Sequence, residues 1–62
     1  MTIFTAAEKL GAVERELRYR RRVYARRIDE GQMTKELADR QIAVMEAIAA
    51  DYLELANKER LL

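Results

Sequence analysis

Gly31 is the one strong break in a chain otherwise built almost wholly of helix formers. The 62 residues contain no Pro and only two Gly. The other glycine, Gly11, falls inside a helical pattern, where it costs about 1 kcal/mol relative to Ala without ending the helix. A helical chain with a single break near its middle folds back on itself. The expected fold is therefore all-α, a two-helix antiparallel hairpin, with the whole of 1–62 as one domain. The expected elements are a helix at about 5–30, a turn at 31–33 and a helix at about 34–60.

Local signals support those limits. Thr5 is followed three residues later by Glu8, the spacing of a capping box. Each side chain then satisfies a backbone N–H that the helix start leaves free. Gly31 stands where a left-handed residue closes a helix. Thr34 is the natural N-cap of the second helix, and Glu36 places negative charge at the positive end of its dipole.

At 100° per residue, the first helix carries a narrow apolar stripe of Leu10, Val13, Leu17, Tyr24 and Ile28. Arg20 fills the gap between Leu17 and Tyr24. The second helix is different. Leu37, Ala38, Ile42, Val44, Met45, Ile48, Ala49, Tyr52, Leu53, Leu55 and Ala56 cover roughly half its circumference. A narrow stripe cannot cover so wide a face. Three outcomes are open: the surplus is ordinary exposed apolar surface, it fills a groove on a different protein, or it meets a second copy of the chain. The expected outcome is the last, a homodimer forming a four-helix bundle through the second helices. Its oligomer interface is expected at Leu37, Val44, Met45, Ile48, Tyr52 and Leu55. Ile3 and Phe4 are expected to cover one end of the apolar seam, near Leu61 and Leu62.

Chain length points the same way. A chain this short buries a small share of its surface, and small scaffolds offset that with disulfides, a metal or oligomerisation. There is no Cys and no His. Disulfides are excluded, and so are the usual zinc ligand sets. Oligomerisation remains, or else unusually good contact between the helices.

The same absences bear on chemistry. With no His, Cys or Ser, the common nucleophile and base pairs cannot be assembled. Glu14 with Glu16, and Glu36 with Asp39, fall on solvated helix faces. No Gly-rich loop exists to cradle a phosphate. The expectation is a non-enzyme with no catalytic residue, no cofactor, no metal and no small-molecule substrate. No apolar run is long enough to span a bilayer. Met1-Thr2-Ile3-Phe4 has neither the basic start nor the apolar stretch of a signal peptide. The expected setting is cytoplasmic, away from membranes.

One feature stands out from that background. Residues 15–27 hold seven arginines, no Lys and a single acid, Glu16. Arg15, Arg18, Arg22 and Arg26 form one stripe opposite the apolar side, with Tyr19 and Val23 beside it. Arg20 and Arg27 flank the core on one edge, and Arg21 on the other. The second helix is acidic, carrying Glu36, Asp39, Glu46, Asp51 and Glu54. An antiparallel hairpin brings Arg26 level with Asp39, Arg18 with Glu46, and Arg15 with Asp51. Such edge pairs set register more than stability. They leave the outward stripe unexplained. Arg15, Arg18, Tyr19, Arg22, Val23 and Arg26 could face nucleic acid, through phosphate neutralisation and stacking, or an acidic protein.

Three segments carry a resemblance. Arg20-Arg21-Arg22-Val23-Tyr24, then Gly31-Gln32-Met33-Thr34, then Ala38-Asp39-Arg40-Gln41-Ile42-Ala43-Val44-Met45-Glu46-Ala47-Ile48 resemble a group of small helical proteins from bacterial genomes and prophages. The similarity extends over about residues 5–56. It implies a mobile-element or accessory setting and no catalytic or ligand residue. Two functions follow as expectations: an oligomeric helical adaptor or regulator that binds another protein, or a nucleic-acid-binding accessory protein using the Arg15–Arg27 face.

Overall fold

The computed structural model describes residues 3–61. Two helices, α1 (Ala6–Asp29) and α2 (Lys35–Arg60), account for nearly all of them and lie against each other. Both are closed by local chemistry. At the start of α1, the Thr5 hydroxyl accepts from the Glu8 N–H at 3.1 Å, and the Thr5 N–H donates to Glu8 Oε1 at 3.2 Å. The capping box read from the sequence is thus formed. At the start of α2, the Thr34 hydroxyl accepts from the Leu37 N–H at 3.2 Å.

The turn between them is a Schellman closure. The Gln32 N–H donates to the Arg27 carbonyl at 2.8 Å, and the Gly31 N–H to the Ile28 carbonyl at 3.0 Å. Gly31 has φ of 74°, in the left-handed region that a side chain disfavours. Gly31→Ala is therefore strained, although space is open around it. Gly11 is the reverse case. A Cβ there would meet nothing closer than the Arg15 side chain at 3.6 Å, an ordinary contact. Gly11→Ala is expected to stabilise the fold by about 0.5–1 kcal/mol through its lower unfolded-state entropy. A thermal melt that moves downward would show that the Gly11 face is closed by something else.

Two long-range contacts set the antiparallel register. The Glu59 carboxylate accepts from the Ala6 N–H, at 3.1 Å and 3.4 Å to its two oxygens. The last turn of α2 thereby satisfies a free donor in the first turn of α1, where the helix dipole also favours negative charge. Further along, Arg21 donates to Glu46 at 2.9 Å. The first contact ties the open end of the hairpin, and the second lies toward the turn.

The hairpin core is thin. Among the described residues only Ala6, Leu17 and Ala38 are buried, and no side chain is fully so. Tyr24, Ile28, Ala38 and Ile42 line one concavity along the seam near the turn, Leu17 and Ala49 share another at mid-length, and Leu10, Leu53 and Ala56 share a third at the open end. The result is a rod of 48 × 21 × 17 Å, with a Cα radius of gyration of 14.4 Å. A compact domain of this length would have about 11 Å. No helix among the described residues is long and apolar enough to cross a membrane.

The expected cover at the end of the seam is not present. Ile3 and Leu61 are each 84% exposed, and Phe4 is 55% exposed. Leu62 lies outside the described residues. Phe4 instead borders a shallow concavity with Ala7, Gly11, Ala12 and Arg15 on the outer side of α1. Three small residues leave room there for a ring, and the extended Thr5 cap carries the chain away from the seam.

Candidate interaction surfaces

The first surface is on α2. Leu37, Val44 and Leu55 are 48%, 50% and 47% exposed. They recur at steps of seven and eleven residues, which places them on one row along the helix. Ile48 falls on the same row and is half-buried. The other two expected interface residues are placed differently. Met45 and Tyr52 are also half-buried, and they sit about 60° and about 40° round the helix from Ile48, toward α1. Tyr52 already has an occupant, since the Lys9 ammonium lies 5.7 Å from its ring centroid, within cation–π range. Tyr52 thus serves the hairpin contact as well as the outer face. Leu53, 50% exposed, lies off this row beside Leu10.

The second surface is the arginine face of α1. Tyr19, Arg22, Val23 and Arg26 line one shallow concavity, with Tyr19 55% exposed. Arg15 and Arg18 are exposed on the same side of the helix. Among the described residues, no carboxylate lies within ion-pairing distance of Arg15, Arg18, Arg22 or Arg26. The edge arginines behave otherwise. Arg20 donates to Glu16 at 2.9 Å. That hydrogen bond, reinforced by the nearby Tyr24, holds the guanidinium pKa above its ordinary value.

The ion pairs differ from those expected from simple opposition. Glu46 takes Arg21 and not Arg18. Asp39 takes Lys35 from its own helix, at 2.8 Å, and not Arg26. Arg18 and Arg26 belong to the outward stripe, so being level with an acid does not bring them to it. Arg21 lies about 60° nearer the seam than Arg18, and its long stem reaches across. Glu59 at the start of α1 was not legible as a functional contact, because nothing local in the sequence links it to a residue 53 positions away.

The fold and these two faces define a small helical hairpin with more presented surface than core. No protein-family model matches the chain, and no curated protein or solved structure matches it.

Proposed function

We propose that the protein is a non-enzymatic interaction module: a cytoplasmic, homodimeric helical adaptor or regulator, of mobile-element or accessory origin. Two hairpins join through α2 into a four-helix bundle, and the assembled rod binds another protein. The carrying observation is the amount of apolar surface left on α2. The chain exposes 5116 Å², whereas a folded monomer of 7.3 kDa has about 4,200 Å². That surplus is surface of every kind and goes with the rod shape of the hairpin; its apolar part on α2 includes the row of Leu37, Val44 and Leu55, each about half exposed.

Sedimentation velocity at micromolar concentration tests this reading. The expected species has twice the mass of one chain. A folded monomer at those concentrations would overturn it.

A second reading is favoured by the unpaired arginines around Tyr19. In it the Arg15–Arg26 face holds a single-stranded nucleic acid, with Tyr19 as a stacking platform. Neutralising four phosphates predicts an affinity loss of roughly 50-fold between about 50 and about 200 mM salt. Arg18→Glu combined with Arg22→Glu should abolish binding to a short oligonucleotide in fluorescence anisotropy. If the wild-type chain shows no binding at the lower salt, this reading fails.

A further inference from the structure

We infer that α2 pairs with a second copy of itself in antiparallel register, with the two-fold axis passing beside residue 46. The inference rests on the self-association proposed above and specifies its geometry.

The exposed row of α2 extends through polar positions. Residues 37, 41, 44, 48, 51 and 55 follow one another at alternating steps of four and three, the spacing of a coiled-coil seam. In order they are Leu37, Gln41, Val44, Ile48, Asp51 and Leu55. This series reads nearly the same from both ends, in spacing and in chemistry. Laid antiparallel about residue 46, Leu37 faces Leu55 of the second copy, and Val44 faces Ile48 of the second copy. Gln41 faces Asp51 of the second copy, so an amide donor meets a carboxylate acceptor. Every layer is matched, and two-fold symmetry makes each match twice, as an isologous contact requires.

The flanks agree with the same axis. On one side, Arg40 comes opposite Glu54 of the second copy, and Ala47 opposite its own equivalent. Among the described residues Arg40 has no ion-pair partner, and Glu54 has only Lys58 of its own helix, at 3.6 Å. On the other side, Met45 meets Met45 of the second copy. A parallel pairing also matches the apolar layers but loses the Gln41–Asp51 and Arg40–Glu54 pairs. It sets each Asp51 against the other inside the seam, where like charges are costly.

The hairpin leaves this row available. α1 packs on α2 along Ala38, Ile42, Ala49 and Ala56. The seam row is centred about 100° round the helix from that line. Neighbours roughly a right angle apart are what each helix of a four-helix bundle has. The Arg21–Glu46 pair occupies the opposite edge of the hairpin contact and does not obstruct the second copy.

Because the chain has no cysteine, single introduced thiols report the register. Ala47→Cys lies beside the proposed axis and is expected to give a covalent dimer with a short bis-maleimide. Leu37→Cys alone should not cross-link, since its two copies would be about 27 Å apart. An equimolar mixture of Leu37→Cys and Leu55→Cys chains should form a disulfide under mild oxidation. Charge reversal adds a second readout. Arg40→Glu and Glu54→Arg should each weaken dimerisation about tenfold, and the double variant should restore it. Cross-linking of Leu37→Cys with itself would establish a parallel pair and overturn the inference while leaving dimerisation intact. So would a dimeric mass with no Ala47→Cys product. A monomeric mass for the wild-type chain would overturn both the inference and the self-association beneath it.

Discussion

Leu17→Ala is expected to remove most of the stability of the fold. Among the described residues, Leu17 is the only buried side chain larger than a methyl group. It sits at mid-length of the hairpin and lines one concavity with Ala49 and with the paired Arg21 and Glu46. Truncating a buried Leu to Ala costs about 2–5 kcal/mol, made up of lost transfer energy and an unfilled cavity. At about 0.05–0.15 kcal/mol per residue, the whole chain holds only a few kcal/mol in reserve. The expected drop in melting temperature is at least about 10 °C, read by far-UV circular dichroism at fixed protein concentration. The neighbouring Arg18→Ala, on the exposed stripe, should stay within about 0.5 kcal/mol of wild type. Equal melting temperatures for Leu17→Ala and wild type would mean that the helices are held together elsewhere.

Ile48→Asp is expected to dissolve the proposed dimer. Ile48 lies on the row of Leu37, Val44 and Leu55, at its edge toward α1, and is half-buried. In the proposed bundle it lies in a central layer, twice over by symmetry. A carboxylate there is desolvated without a partner, at a cost of several kcal/mol. The dimer dissociation constant should rise by more than about 100-fold, measured by sedimentation velocity. A thin-cored hairpin that gains stability from its partner also melts at a temperature that depends on concentration. The wild-type chain should show that dependence, and the variant should lose it. If mass and melting temperature both stay at wild-type values, the outward face assigned to α2 is wrong.

Both effects follow from the same shortage. Among the described residues one Leu and two Ala are buried, while Leu37, Val44, Leu53 and Leu55 stand about half exposed on α2. The imbalance between a narrow stripe on α1 and a wide face on α2 was visible as soon as the two patterns were projected. How much of the wide face α1 would cover was not. Periodicity reports direction around the helix axis, not the distance to a neighbour. Met45 and Tyr52 show the difference. Pattern alone groups them with the outward row, yet both are half-buried, and Tyr52 takes the Lys9 ammonium on its ring.

What the sequence determined by itself was how each helix starts and how the first one ends. Thr5 and Glu8 close the start of α1, Gly31 makes the left-handed closure, and Thr34 opens α2. Each involves atoms held near one another by chain connectivity, so residue type and spacing are sufficient. The grouping of Tyr19, Arg22, Val23 and Arg26 on one face was legible for the same reason. The tertiary structure alone decided which residues meet across the hairpin. It gave Glu46 to Arg21, put Glu59 on the first N–H of α1, and left Ile3 and Leu61 in solvent. Those outcomes depend on the stagger and roll of one helix against the other. A slide of one turn, about 5.4 Å, moves every cross-helix partner by three or four residues and leaves each helix internally unchanged.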